Sequence, residues 1–252
     1  MTTPRHLVNK ATPDFTLNSD WDGPDWKPTP TADVDFFLTQ PIVKASDHRP
    51  KTQVKLVYDA QGIYALFKVI DRYVKCIHTE PQSATCYDSC VEWFIRPKPD
   101  ADPAQGGYFN FEINCGGAVK CRYTVIDGTG EKVTTQPLDA RDLASLTILP
   151  SLPKIVDPEI ETETVWTLGL YVPFTVLERY VGPLSIRHGQ TWRVNFYKCG
   201  NQTSHPHYAA WAPVDVPNFH TPRCFGSLEF REPMKSPSRP GHSPCACRLE
   251  QS

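Results

Sequence analysis

The chain contains no apolar run approaching the ~20 residues that a membrane-spanning helix requires, so nothing in it reads as a helical span. It also lacks a charge of one dominant sign. With 26 Lys and Arg against 28 Asp and Glu, the formal net charge is −2, which argues against a dedicated surface for nucleic acid or anionic lipid. The stretch MTTPRHLVNKATPDF has no apolar region of the signal-peptide kind, and the expectation is a soluble chain that stays in the cytoplasm. Nine cysteines form an odd set without a CxxC pair, which suits mostly reduced, buried thiols with room for one or two bridges rather than a fully paired disulfide framework. There is no internal repeat of 20–50 residues and no DxDxDG-type calcium loop. Helical periodicity is almost absent.

What the chain has instead is proline and short apolar runs. Its 25 prolines are about twice the usual share of roughly 5%, a density that breaks helices and punctuates short strands. Residues 1–50 read as an irregular lead-in that packs on the core by Trp21, Trp26, Phe36 and Phe37. From TQVKLVYDAQGIYALFKVIDR onward the pattern alternates, with DAQG as a hairpin turn. CVEWFI, YFNFEIN, CRYTVI, VWTLGLYV, TWRVNFYKC and CFGSLEF read as further strands, and PFTVLERY as the one short helix. The expected fold is all-β, an antiparallel jelly-roll-like sandwich over residues 51–232 with at most one short helix. Residues 233–252, with Cys245 and Cys247, read as a disordered tail.

Strand side chains alternate between faces. Val91, Trp93 and Ile95, then Phe109, Phe111 and Ile113, then Trp192, Val194 and Phe196, form apolar stripes. Their opposite stripes carry Glu92 and Arg96, then Tyr108, Asn110, Glu112 and Asn114, then Arg193, Asn195 and Tyr197. A wet sheet face is the ordinary reading of such a pattern. However, carboxylate, amide and guanidinium groups mixed with large aromatics make directional hydrogen bonds beside flat apolar contacts. That mixture suits a polyol with apolar C–H faces, a sugar. Trp211, between small residues and a proline in HYAAWAP, reads as a stacking aromatic, whereas Trp93, Trp166 and Trp192 read as core.

DSCVEWFI, GYFNFEINCGG, VWTLGLYVPF, WRVNFYKCG, HYAAWAP and FHTPRCFGSLEF occur in the order found in carbohydrate-binding module family 9-like proteins, which the chain resembles from about Trp21 to Phe230. The resemblance implies a DOMON-like β-sandwich whose concave side binds sugars without catalysis, often beside a polysaccharide-degrading enzyme and often outside the cell. In that family a sugar ring lies between two tryptophans while a Glu, an Arg and an Asn hold its hydroxyls. Carried over, the Glu is Glu92 and the late Trp is Trp211; Tyr87 is the aromatic at the first clamp position, where no Trp stands. An acidic residue common before the Pro of VWTLGLYVPF is replaced by Gly169. Some relatives hold structural calcium, for which Asp88 is the candidate ligand. The expected ligand-binding set is therefore Trp211, Glu92, Tyr87, Asn110, Glu112, Arg193 and Asn195.

Three other readings use the same residues. Glu92 and Glu112 on neighbouring strands could serve as the two carboxyl groups of a glycoside hydrolase. A haem-binding electron-transfer domain would need axial ligands, and the chain offers only Met1 and Met234 together with His207 or His220. His205, His207 and His220 could share a metal, although Pro206 argues for a loop. Asn201, in NQT, fits a glycosylation acceptor.

Overall fold

The computed structural model describes residues 3–38, 46–100, 106–127, 129 and 132–232. The tail, with Met234, Cys245 and Cys247, lies outside these residues, as does Met1. In chain order the strands are β1 (Arg5–Lys10), β2 (Thr31–Asp33), β3 (Phe36–Phe37), β4 (Lys51–Tyr58), β5 (Gly62–Asp71), β6 (Val74–Cys76), β7 (Cys90–Arg96), β8 (Tyr108–Asn114), β9 (Val119–Ile126) and β10 (Lys132–Pro137). They continue with β11 (Thr147–Pro150), β12 (Val156–Ile160), β13 (Thr164–Pro173), β14 (Thr191–Cys199), β15 (Tyr208–Ala210) and β16 (Gly226–Arg231).

One hydrogen-bonded path runs β10-β9-β8-β7-β14-β16-β1-β4-β5-β13-β11. It doubles back on itself, so that β10 to β16 form one leaf and β4 to β11 the other. The interior is filled by the apolar stripes of both leaves. Trp93, Phe111, Trp192 and Phe196 come from one, and Phe67, Trp166, Leu168 and Leu170 from the other. The Phe67 and Phe196 rings meet across the gap at 6.2 Å. The structure is the all-β sandwich expected, with the three tryptophans in its core.

Two features depart from the sequence reading. β1 lies inside the supposedly irregular lead-in, yet it joins the leaves, pairing in parallel with β16 on one side and β4 on the other. Its apolar alternation is broken by His6, which hides it from pattern reading. PFTVLERY does form the expected helix, α2 (Phe174–Val181), which buries Phe174, Leu177 and Val181 on one stripe. A second helix, α1 (Ala140–Ala144), precedes it and is too short to show periodicity. Asp139 caps α1 by accepting from the Asp142 amide at 2.8 Å. The Asp142 carboxylate accepts in turn from Tyr180 at 2.7 Å and from Arg179, tying the helices together.

The inward stripes of β5 and β14 each end in a charge. Asp71 follows Phe67 and Val69, and Lys198 follows Val194 and Phe196. Both are fully buried and meet at 3.2 Å. Lys198 also donates to His207 Nε2 at 2.7 Å, so the His207 proton sits on Nδ1 and is donated to the His205 carbonyl at 2.9 Å. The His48 ring completes the cluster at 2.6 Å from Asp71. Burial alone would raise Asp71, but the Lys198 ammonium and the His48 ring hold it well below the usual carboxylate range.

Burial, assisted by Lys198, lowers His207 to about 3, and burial lowers His6 to about 4. Both rings are therefore neutral in the folded state, while the unfolded chain titrates near the ordinary value of about 6.5. Between those values the unfolded chain binds more protons at these two sites, so their contribution to stability is complete above about pH 6.5 and falls as pH drops toward the depressed values. Thermal midpoints should decline on acidification from about pH 7 to about pH 4, and His207→Gln should make that decline shallower. An identical slope in the variant would show that His207 is not a source of it.

Candidate functional site

The polar stripes lie together on the outer face of the leaf that contains β7, β8, β9 and β14. Register sets Glu92 opposite Glu112, Glu112 opposite Lys120, and Asn110 opposite Arg122. Asn195 and Tyr197 lie opposite Phe94 and Glu92. The face is neither flat nor wet, because the segment from Trp211 to Phe225 folds back across it. Asn195 fastens that segment through both backbone groups of one residue, accepting from the Ala212 amide at 2.8 Å and donating to the Ala212 carbonyl at 2.9 Å. Phe219 stacks on Tyr197 with centroids 4.0 Å apart, and the Tyr197 hydroxyl donates to the Phe219 carbonyl. Arg193 donates to the Phe225 carbonyl.

What the segment leaves uncovered is a cleft over β8, β9 and β10. Its outer part has a volume of about 600 Å³ and is bordered by Glu112, Lys120, Arg122, Asn218, His220 and Arg223. An inner chamber of about 230 Å³ shares Glu112, Lys120, Asn218 and His220 and adds Glu92, Cys86 and Cys199. The Glu112 carboxylate accepts from Asn110 at 2.7 Å and from Lys120 at 3.0 Å. Burial would lower Lys120, but the Glu112 carboxylate outweighs it and the ammonium is raised. Glu92 is raised to about 8 by burial and by the facing Glu112. The neutral carboxyl accepts a thiol hydrogen bond from Cys199 at 3.2 Å. His220 leans on Phe94, with ring centroids 4.9 Å apart, and its Nδ1 is 3.0 Å from the Tyr108 hydroxyl.

The structure brings together three of the residues singled out from the sequence, Glu92, Asn110 and Glu112, and separates the others from them. Trp211 follows Ala210 out of β15 and packs against Phe196 at 5.5 Å and His6 at 6.4 Å, on the core side of β14. A side chain at Gly226 would meet the Trp211 indole at 2.2 Å. The expectation that Trp211 shares a face with Glu92 is therefore corrected: pairing with Phe196 sends the indole inward. Asn195 and Arg193 are corrected as well, since their polar groups hold the covering segment. Asn110 is fully buried and positions Glu112. Tyr87 is 39% exposed, edge-on to His78, and adjoins Cys86 at the chamber.

Asp88 is buried, and its carboxylate is engaged by the His78 amide at 2.9 Å, the His78 ring at 3.1 Å and Asn114 at 2.8 Å. Those bonds occupy the oxygens a calcium ion would need. His205 and His207 stand beside Asp71, whereas His220 stands in the cleft, so the three do not converge. Gly169 lies in β13 on the other leaf, against Leu17.

Lys120, Arg122 and Asn218 were missed from sequence, and His220 was singled out there only as a metal or haem ligand. The alternation of VKCRYTVI would have put Lys120 and Arg122 in phase with Glu112 and Asn110 across the Cys115–Ala118 turn. Nothing in PNFH marks a loop that folds onto a sheet.

The model of carbohydrate-binding family 9 matches residues 34–230. Among curated proteins none matches the chain. A solved structure of a candidate carbohydrate-binding protein from Bacteroides uniformis ATCC 8492 superposes with a TM-score of 0.75 at 22% identity, covering 91% of this chain and 100% of that one. A family 9 carbohydrate-binding module from Caldicellulosiruptor kristjanssonii, in complex with glucose, gives 0.60 at 11% identity over 92% of this chain and 98% of that one. The same organism's module in complex with cellotriose gives 0.58 at 12% identity over 95% and 100%. At these identities the likeness is one of fold.

Proposed function

Because the chain belongs to carbohydrate-binding family 9, we propose that it binds a gluco-configured mono- or oligosaccharide in the cleft over β8, β9 and β10, without catalysis, in support of polysaccharide degradation. The observation that carries this reading is the pairing of Glu112 with Lys120 at 3.0 Å in a cleft of about 600 Å³, within the ~300–1,000 Å³ usual for small-ligand sites. Each sugar hydroxyl both donates and accepts. A carboxylate beside an ammonium, flanked by Arg122 and Asn218, offers both functions at fixed positions. Tyr108, Ile126, Val216 and Pro222 supply the apolar contact for the ring's C–H groups. Glu92 belongs to the inner end of the same cleft. The glucose and cellotriose held by the two Caldicellulosiruptor neighbours support the choice of sugar. Association with a polysaccharide-degrading enzyme is the setting in which such binding is useful.

Hydrolysis is less well supported. Both Glu112 oxygens are engaged, by Asn110 and Lys120, and Glu92 faces the Cys199 thiol.

Calorimetric titration with cellotriose tests the reading. Lys120→Met and Glu112→Gln should each weaken binding about ten- to a hundredfold, the equivalent of ~1.5–3 kcal/mol for hydrogen bonds involving a charge. The exposed Lys154→Ala should leave binding unchanged. Equal affinity in all three variants would remove the site from this cleft.

A further inference from the structure

Cys90 and Cys199 are directly opposite each other on β7 and β14. Glu92 is two residues along β7 on the same face. One Sγ from each cysteine and one Glu92 oxygen all lie within 4.8 Å of one another, and the Cys199 Sγ is 3.2 Å from Glu92 Oε1. A tetrahedral ion with metal–sulfur bonds of ~2.3 Å and metal–oxygen bonds of ~2.0–2.2 Å needs ligand atoms roughly 3.5–3.8 Å apart, a spacing these three approach with side-chain adjustment alone. Among the described residues this is the one group of three such donors that converges. We propose that Cys90, Cys199 and Glu92 form a binding site for a thiophilic divalent cation of the zinc type.

The chemistry of the donors favours that class. Two sulfurs and one carboxylate select a borderline-soft ion over calcium or magnesium, which take oxygen ligands. Three protein ligands leave a fourth position. The inner chamber, which Glu92, Cys199 and the half-buried Cys86 border, gives that position access to solvent and the ion a way in. Without an ion the thiols stay protonated, because burial raises Cys90 to about 12, and Cys199 is raised by its hydrogen bond with Cys90 and by burial. Binding breaks two S–H bonds and forms two metal–sulfur bonds. It releases both thiol protons, and the proton on Glu92 where it is present, to the buffer. Two thiolates and a carboxylate around a dication carry a net charge of −1. The Lys198 ammonium, bonded to the Cys199 carbonyl at 3.0 Å, lies nearby to offset it.

The inference does not rest on carbohydrate binding, and its test uses metal alone. The reduced, full-length chain is freed of metal and titrated with Co²⁺ while near-ultraviolet absorption is followed. Expected are sulfur-to-cobalt charge-transfer bands that saturate at about one ion per chain, are displaced by Zn²⁺ and accompany proton release. Cys199→Ser should abolish the bands. Glu92→Gln, which keeps the shape of the side chain, should weaken Co²⁺ binding at least about tenfold even if the serine variant fails to fold. Cys76→Ser and the double variant Cys245→Ser/Cys247→Ser should leave the bands in place, since those thiols lie outside the trio. Absence of the bands in the parent chain would overturn the proposal. So would bands that persist in Glu92→Gln at parental affinity, or that vanish with Cys76 or with Cys245 and Cys247.

Discussion

Lys198→Met is expected to destabilise the protein by about 3–5 kcal/mol, the usual cost of removing one partner of a buried ion pair. Asp71 would then be a fully buried carboxylate left with the His48 ring and the Arg72 and Tyr73 amides, without its ammonium partner. The charge cannot escape to water, because Asp71 ends an inward stripe of β5 and is packed beneath β14. Urea denaturation at neutral pH reads the loss directly. Two further outcomes separate this cause from a simple packing defect. Adding Asp71→Asn should recover most of the stability, since a neutral amide no longer needs a counter-charge. Acidification should also narrow the gap between Lys198→Met and the parent, as protonation of Asp71 removes the same demand. A single variant as stable as the parent would mean that the pair contributes nothing.

The second large effect is expected at Asn195. Asn195→Ala strips partners from the Ala212 amide and carbonyl, at ~1–3 kcal/mol for each buried group left unsatisfied. These bonds fasten the segment from Trp211 to Phe225, which carries Asn218 and His220 into the cleft. The variant should therefore lose stability and sugar affinity together. Removing the exposed Arg223–Asp215 pair on the same segment by Arg223→Ala should cost little, because solvent screens it. Hydrogen exchange of the segment's amides would distinguish the two variants. If Asn195→Ala leaves both exchange and affinity unaltered, the segment is held by Phe219 and its aromatic contacts instead.

These two residues also mark where the sequence can and cannot be read. Alternation in CVEWFI, YFNFEIN and TWRVNFYK sorted side chains correctly between core and outer face, because a residue's phase along a strand is a local property. Carried one step past Trp192, Val194 and Phe196, the same rule would have put Lys198 in phase with them, where the structure pairs it with Asp71. Alternation also set Glu92, Asn110 and Glu112 side by side, which follows from pairing neighbouring strands. It could not say what lay above them. The covering segment is irregular, and its docking depends on the Asn195 amide, the stacked Phe219 ring and the Tyr197 hydroxyl, tertiary contacts that no periodicity announces. Trp211 failed for a related reason. Its neighbours are small because the indole fills the space above Gly226, not because it stands in an open loop.

The parallel seam formed by β1 governs how the molecule comes into being. Arg5 registers with Ser227, and Asn9 with both Arg231 and Val57. β1 thus has to wait for β16, far along the chain, before the leaves can be closed. Until then both leaf margins present unpaired backbone, the condition in which strands recruit foreign partners. Closure over so long a stretch of chain is intrinsically slow, so the folding chain is most vulnerable to misassociation before β16 docks on β1.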